Sequence, residues 1–151
     1  MIFNILSLVI SGGAIATALV HQHIFGMEPC AWCVLQRLVF AVIFLISILS
    51  IIFKKTLAFD WLVSALGASG VGIALYQLNV ANYSNSCGIS VAEKFMNWTH
   101  LNSLLPQVFE SYALCADANV SLLGLPYAAW SLWLFVLITL LSIRKIIKNR
   151  I

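Results

Sequence analysis

Charged residues are scarce in this sequence. Of its 151 residues, 9% are charged and 62% are hydrophobic. A soluble domain of average composition carries about 25% charged residues. This scarcity excludes an ordinary soluble domain and indicates that lipid surrounds much of the chain. The length fits one domain over residues 1–151.

Basic residues are too few and too unevenly placed for a nucleic-acid-binding surface. Four of the eight Lys and Arg residues fall in one tail, Arg144 to Arg150. Beside a membrane span, such a cluster is a topology signal. Internal repeats and low-complexity linkers are also absent from the sequence.

No Lys or Arg precedes the first apolar run, which weighs against a cleaved signal peptide. The tripeptide Ala14-Ile15-Ala16 resembles a cleavage site, but the apolar run continues past it to Val20. We therefore expect the first segment to remain in the protein as a membrane helix.

Four long apolar segments are present, and a membrane-spanning helix needs about 20 such residues. We expect spans at about residues 2–20, 34–53, 61–80 and 122–143. The sequence therefore predicts an all-α fold, an integral membrane four-helix bundle. Its outer loops are expected at about 21–33 and 81–121, the second of them long.

Two further patterns concern packing. The stretch from Leu101 to Tyr112 has apolar residues at helical spacing, which predicts a short interfacial helix in the second loop. Gly67, Gly70 and Gly72 cluster in the third segment. Small residues let helices approach closely in lipid, so we expect tight packing there.

The basic residues predict the orientation. Lys54 and Lys55 follow the second span, and the basic tail follows the fourth. An even number of spans puts both termini and this short loop on one side, which the positive-inside rule makes cytoplasmic. All four cysteines then lie at or beyond the outer surface, where disulfides persist.

A C-x-x-C motif, Cys30 and Cys33, opens the second span, and Pro29 suits the first turn of a helix there. The N–H groups at a helix start favour thiolate over thiol. Arg37 lies about 6 Å deeper on the same face. We interpret it as a cation aimed at an electron-rich oxygen of a lipid-soluble acceptor; the alternative is a snorkelling anchor. Gln36 either adds a hydrogen bond or faces another helix.

Two other interpretations of the C-x-x-C motif stay open, a metal site and a structural disulfide. Zinc sites usually need four ligands. His21 and His23 are close by but spaced H-x-H, and Cys87 and Cys115 are not a close pair. A C-x-x-C disulfide closes a short ring and tends to be reducible rather than a structural crosslink.

Cys87 and Cys115 enclose the polar second loop. Four cysteines allow three connectivities, and sequence order favours 30–33 with 87–115. A disulfide closing this loop is worth roughly 3–4 kcal/mol, so a structural role is a serious alternative. Beside a redox-capable C-x-x-C motif on the same face, exchange between the pairs is the favoured interpretation.

These residues resemble the disulfide bond formation protein B (DsbB) family of bacterial inner membranes, over nearly the whole chain. The matching pieces are Glu28 to Cys33, Gln36-Arg37, Cys87, Leu105 to Phe109, Cys115, and Leu123 to Pro126 with Trp130. A C-x-x-C motif followed by x-x-x-R at a span entrance, with two further loop cysteines, is a specific signal.

The resemblance implies a multi-pass protein that reoxidises a periplasmic thioredoxin-like protein, DsbA, and passes electrons to membrane quinone, ubiquinone or menaquinone. By that likeness Cys87 forms the mixed disulfide with the partner, and Cys115 attacks Cys30. Cys33 is left as the thiolate facing the quinone, and Arg37 helps to hold the quinone.

Two positions depart from the family pattern. Some members carry a histidine near the outer end of the third span, where this sequence reads Gln77-Leu78-Asn79. Many have a tryptophan five residues after the last loop cysteine, where this sequence has Val120. Neither departure touches the cysteines or Arg37.

Two hypotheses from other classes remain. A quinone reductase similar to the vitamin K epoxide reductases also uses cysteine pairs in a four-helix bundle, but with the C-x-x-C motif at the last span. A non-enzymatic thiol metal carrier needs Cys, His or Met along a path through the bilayer. No cysteine or histidine lies deep in any expected span, and of the methionines only Met1 is near one.

Overall fold

The computed structural model of the chain describes residues 2–53, 56–79, 91–111 and 121–150. Within these ranges the chain forms seven helices and one small hairpin. In order they are α1 (Ile2–His23), α2 (Ala31–Phe53), α3 (Thr56–Asn79), α4 (Val91–Thr99), α5 (Leu101–Leu104), α6 (Pro106–Phe109), β1 (Ser121–Leu122), β2 (Leu125–Pro126) and α7 (Tyr127–Arg150).

Four of the helices that the structure describes, α1, α2, α3 and α7, are long and apolar enough to cross a membrane. They contain 22 to 24 residues, and a hydrocarbon core requires about 20. In the bundle α3 packs along α7 and α1 along α2, while α2 also contacts α3. The predicted all-α four-helix membrane bundle is confirmed.

Apolar side chains fill the centre of this bundle. The rings of Phe40 and Phe135 stack with centroids 4.0 Å apart, and Ile43 and Ile138 are fully buried beside them. A Cβ atom at Gly70 would overlap the ring of Phe135. Glycine at this position therefore lets α3 lie close to α7, as small residues do between membrane helices.

The other two glycines of the third segment differ from each other. A Cβ atom at Gly67 would overlap the side chain of Thr139 on α7. One at Gly72 would meet open space. The expected close packing therefore holds at Gly67 and Gly70 but not at Gly72.

The fourth long helix begins at Tyr127, later than the expected position near residue 122. The intervening residues form the hairpin, in which Leu122 pairs with Leu125. Leu123 and Gly124 make its two-residue turn with φ values of 54° and 83°. Two positive φ values give such a turn the twist that paired strands need. Because the hairpin extends to Pro126, α7 begins only at Tyr127.

The connection between α3 and α7 carries helices, but their bounds differ from the expected single helix. Leu105 has φ −136° and ψ 68° and separates α5 from α6. The cause is Pro106, because a proline disfavours helical geometry in the residue before it. The preceding helix α4 was not predicted from the sequence; it buries Ala92 and Met96. Tyr112 lies outside the described residues.

Two ends of the bundle can now be distinguished. The cysteine end is where α2 begins and α3 ends. The basic end is where α1 and α3 begin and α2 and α7 end. At the basic end the Nζ atom of Lys145 lies 2.7 Å from Oδ1 of Asp60 and 2.6 Å from Oδ1 of Asn4. The amide of Asn4 donates in turn to Oγ of Ser50 at 2.6 Å.

The two charges of this polar cluster are buried. Lys145 belongs by sequence to the basic tail, but it is 5% exposed and Asp60 is 4% exposed. Because α7 continues to Arg150 and α3 begins at Thr56, both charges fall inside long helices. Their pairing satisfies the requirement that buried charges have a partner.

Candidate active site

The chain enters α2 at Cys30. Its carbonyl oxygen accepts the main-chain N–H of Val34 at 3.0 Å, and its sulfur accepts the N–H of Cys33 at 3.4 Å. The sulfur thereby takes the place of a capping hydroxyl and satisfies a donor that a helix start leaves unpaired. Pro29, expected in the first turn, instead precedes this cap by one residue.

The sulfur atoms of Cys30 and Cys33 lie 3.0 Å apart. At this separation the two sulfurs are within hydrogen-bonding contact. Cys30 is fully buried, whereas Cys33 is partly exposed. The N–H groups at the start of α2 favour negative charge on this pair. The pair can gain or lose a disulfide with little movement of the backbone.

Arg37 lies one helical turn below Cys33 and is 6% exposed. Its Nη1 atom donates to Oε1 of Gln22 at 2.7 Å and to the carbonyl oxygen of Val108 at 2.5 Å. Its Nε atom is buried and has no hydrogen-bond partner in the described part of the chain. The guanidinium is therefore held between α1 and α6 inside the protein, unlike an arginine that extends along the surface to reach water.

A hydrogen-bonded chain of side chains leads to the two sulfurs from the neighbouring helices. Gln77 on α3 directs Nε2 at the sulfur of Cys33, at 3.1 Å. Its Oε1 accepts from Nε2 of Gln36 at 2.7 Å. Ser131 on α7 donates from Oγ to Oε1 of Gln36 at 2.5 Å. Gln36 thus hydrogen-bonds to side chains of two other helices.

A cavity of about 360 Å³ lies between α1, α2 and α7. Cys33, Gln36 and Arg37 contribute its polar edge, together with Ser131 and Tyr127. Most of the remaining wall is apolar, including Val9, Ile10, Ala14, Phe40, Leu122 and Leu134. Sites for small molecules usually combine a volume of about 300–1,000 Å³ with apolar walls and a few polar groups. This cavity fits that description.

A second, smaller cavity of about 60 Å³ shares Cys33, Arg37 and Tyr127 with the first. Its remaining wall includes His21 and Glu28, which lie near the connection between α1 and α2. Cys33 and Arg37 therefore border both the large apolar cavity and the smaller one.

Comparison with known proteins identifies the family. The family described as "Disulfide bond formation protein DsbB" matches residues 2–144. Disulfide bond formation protein B of Cupriavidus pinatubonensis is 36% identical over 93% of this chain and 89% of its own length. The protein of the same name from Ralstonia nicotianae is 36% identical over 98% of this chain and 95% of its own length. Disulfide bond formation protein B 1 of Pseudomonas entomophila is 32% identical over 99% of this chain and 89% of its own length.

The chain belongs to the DsbB family. Membership assigns it to disulfide bond formation, a thiol redox chemistry, in a multi-pass membrane protein. It also implies a periplasmic thiol partner. The resemblance found from the sequence is thereby confirmed.

Within this DsbB-family protein, three side chains around the sulfurs were not singled out from the sequence. Gln77 entered the sequence analysis only as part of a departure from the family histidine, yet it contacts Cys33 directly. Gln22 and Tyr127 border Arg37 and the smaller cavity. The sequence does show a polar residue, Gln77, near the end of an apolar span. Whether its side chain faces Cys33 depends on how α3 packs against α2.

Cys87 and Cys115 lie outside the described residues, so their predicted roles stay predictions. The described chain between them packs close to the C-x-x-C motif. Met96 of α4 and Phe109 of α6 form one buried cluster with Val34, the residue after Cys33. This contact holds the described part of the α3–α7 connection against the start of α2.

Proposed function

We propose that this DsbB-family protein is a protein dithiol:quinone oxidoreductase. It takes two electrons from a reduced periplasmic thioredoxin-like oxidase of the DsbA kind and passes them to membrane quinone. One observation carries the proposal: Cys33 of the C-x-x-C pair borders an apolar cavity of about 360 Å³ together with Arg37.

The cavity fits a quinone on three counts. Its volume and apolar wall suit a flat hydrophobic ring. Val9 and Trp130 on its rim are exposed on the bundle surface, which gives a lipid-soluble molecule a way in. The buried Nε atom of Arg37 has no hydrogen-bond partner among the described residues, so a donor is available for a carbonyl oxygen. A bound quinone supplies a sink for two electrons and two protons.

The assignment of the two sulfurs follows from their surroundings. Among the described residues near the motif, Cys33 lines the cavity and Cys30 does not. Cys33 is therefore the sulfur that delivers electrons to the acceptor. Cys30 is fully buried, so attack at its sulfur by a loop cysteine requires the chain around it to move.

The proposed exchange conserves atoms and electrons. A thiolate of the partner attacks the Cys87–Cys115 disulfide at Cys87, which forms a mixed disulfide and releases the Cys115 thiolate. Cys115 attacks Cys30, breaks the Cys30–Cys33 bond and releases the Cys33 thiolate. When the partner's second thiol resolves the mixed disulfide and Cys87 displaces Cys30, the loop disulfide is restored. Two electrons have then moved from the partner's dithiol to Cys30 and Cys33.

The length of the connection supports this route. Cys87 lies four residues before α4, and Cys115 lies four residues after Ser111, the last described residue of that stretch. Four residues span at most about 14 Å. Since α4 and α6 both pack on Val34, short chain segments join the loop cysteines to the surroundings of Cys33.

The sidedness belongs to the same proposal. We infer that the cysteine end faces the periplasm of a bacterial inner membrane and that both termini are cytoplasmic. Arg144 and Lys148 remain exposed at the basic end, which agrees with the positive-inside rule. Disulfide exchange then takes place in the oxidising compartment.

A reconstituted assay tests the function. The purified chain in lipid nanodiscs is mixed with a reduced periplasmic thioredoxin-like oxidase, with and without added quinone. Beyond the single equivalent of partner that the protein's own disulfides oxidise, we expect thiol oxidation only with quinone, and one quinol formed for each disulfide. Oxidation that is equally fast in quinone-free nanodiscs, or no oxidation with quinone, would contradict the proposal.

A further inference from the structure

Gln77 is a polar side chain that approaches both sulfurs of the C-x-x-C pair from another helix. It is 3% exposed and lies near the end of α3. Its Nε2 atom is 3.1 Å from the sulfur of Cys33 and 3.6 Å from that of Cys30. The contact joins residues more than forty positions apart in the sequence, so it results from the packing of α3 on α2.

In the arrangement that the structure describes, the partners of Gln77 leave the N–H end of its amide facing the sulfurs. Its oxygen already accepts a hydrogen bond from Gln36, and the oxygen of Gln36 accepts one from Ser131. All three side chains are buried. With its oxygen engaged, the amide presents N–H to Cys33. Buried networks of this kind hold their members in place because an unpaired polar group there is costly.

A donor at this position affects the oxidised and reduced pairs differently. A reduced Cys33 thiolate is a full negative charge, and a hydrogen bond to a charged acceptor is roughly twice as strong as a neutral one. The sulfurs of a disulfide carry no charge and accept weakly. When the disulfide gains two electrons and one proton, giving one thiol and one thiolate, the N–H of Gln77 therefore stabilises the product.

We propose that Gln77 is a positioning residue that stabilises the reduced Cys30–Cys33 pair and so makes the disulfide a stronger oxidant. The inference rests on the redox role of this pair in the proposed function. A strong oxidant is needed there, because a partner of the DsbA kind has a potential of about −120 mV and yields its electrons reluctantly.

The network also explains why amides, rather than carboxylates, occupy these positions. The hydroxyl of Ser131 has one proton but two acceptors, Oε1 of Gln36 at 2.5 Å and the carbonyl oxygen of Ala128 at 2.9 Å. If both amides rotate by half a turn, a Cys33 thiol donates to Gln77, and Ser131 donates to Ala128. The amides of Gln36 and Gln77 thus serve both thiol and thiolate, whereas an ionised carboxylate could only accept.

The test is the redox equilibrium of the pair with glutathione. The full-length chain carries Cys87→Ser and Cys115→Ser, so that Cys30 and Cys33 alone exchange. Purified quinone-free protein is equilibrated at a series of glutathione ratios, quenched, and scored for free thiols by a mass-tagged maleimide. Gln77→Met keeps the side-chain length without a donor, and Gln77→Glu keeps the shape and, when ionised, offers acceptors only.

We expect the equilibrium constant for reduction to fall about tenfold or more in both variants, since a hydrogen bond to a charged group is lost. Tenfold corresponds to a potential about 30 mV lower for a two-electron couple. Alkylation of Cys33 at pH 7 should slow several-fold, because less thiolate is present. A change in packing alone would not alter both quantities together.

Asn79→Leu is the matched control. Asn79 lies on the same turn of α3 as Gln77, but it is exposed and its amide donates to the carbonyl oxygen of Leu75. The equilibrium constant for reduction in Asn79→Leu should equal that of the parent protein, which carries only Cys87→Ser and Cys115→Ser. If Gln77→Met and Gln77→Glu also match the parent, the role of Gln77 is overturned. Because this measurement uses neither partner nor quinone, its outcome does not depend on the outcome of the quinone assay.

Discussion

The Nη1 atom of Arg37 lies 2.5 Å from the carbonyl oxygen of Val108. This hydrogen bond ties the helix that carries Cys30 and Cys33 to α6, part of the connection that carries the two loop cysteines. Arg37 therefore has a second role besides facing the cavity: it anchors the described part of that connection one turn below Cys33.

Replacing Arg37 by Met tests the quinone contact. The change keeps much of the length and removes the charge, so the KM for quinone should rise roughly tenfold to over a hundredfold, the worth of a hydrogen bond to a charged group. The KM for the thiol partner should change less. Both constants are measured in the reconstituted assay.

Arg144→Met is the control, because Arg144 is exposed at the basic end. It should leave both constants unchanged. An unchanged quinone KM in Arg37→Met, with a raised KM for the partner, would instead leave Arg37 with only its contact to Val108.

Cys115→Ser should trap the partner. In this variant the Cys87 thiolate attacks the disulfide of the oxidised partner, which forms the mixed disulfide and releases one partner thiolate. Without Cys115 no thiol of the second pair displaces the partner from Cys87, so the mixed disulfide accumulates. Non-reducing electrophoresis with an antibody to the partner detects the adduct. It should disappear when Cys87→Ser is added. An adduct that persists in the double variant would show that the partner enters at Cys30 or Cys33.

The buried ion pair at the basic end should stabilise the bundle only as a pair. Lys145→Met leaves the carboxylate of Asp60 buried without its cation, which costs about 3–5 kcal/mol. Thermal unfolding in a mild detergent should show this loss, whereas exposed Lys148 replaced by Met should be neutral. Adding Asp60→Leu to Lys145→Met should recover most of the stability. A double variant as unstable as the single one would mean that the cluster is held by Asn4 and Ser50 instead.

Two glycines of α3 form a matched test of the packing against α7. Gly70→Ala forces a Cβ atom into the ring of Phe135, and overpacking of this kind costs typically 1–3 kcal/mol. Gly72→Ala meets open space and should be neutral or slightly stabilising. Unfolding in detergent compares them. Equal stability in the two variants would show that α3 can shift away from α7 without cost.

Several features of this molecule could be derived from the sequence for physical reasons. A lipid core demands long apolar segments, so the four apolar segments of the sequence indicated four spanning helices. The C-x-x-C motif and Arg37 are local in sequence, and helical periodicity put them on one face. The proximity of Cys33 to Arg37 at the cavity edge follows from that spacing.

Other features depend on how each helix is rotated about its own axis relative to its neighbours. The contact of Gln77 with Cys33 and the pairing of Lys145 with Asp60 join residues from different helices. Hydropathy does not fix the rotation of an apolar helix about its axis. The break at Leu105 could have been predicted from the sequence, because Pro106 disfavours helical geometry in the residue before it. The hairpin before α7 was hidden because Leu122 and Leu125 continue an apolar run.

The identity of the sulfur that meets the acceptor can be read from a spectrum. Cys33 lines the large cavity beside Arg37, and Cys30 is buried away from it. An electron-rich thiolate beside an electron-poor quinone ring should give a visible charge-transfer absorption. We expect this band in quinone-loaded Cys30→Ser, in which Cys33 cannot form the intrapair disulfide. Acidification should abolish the band as the thiolate is protonated, and Arg37→Met should weaken it. Cys33→Ser is the matched variant and should show no band; a band there that is lost in Cys30→Ser would reverse the roles of the two cysteines.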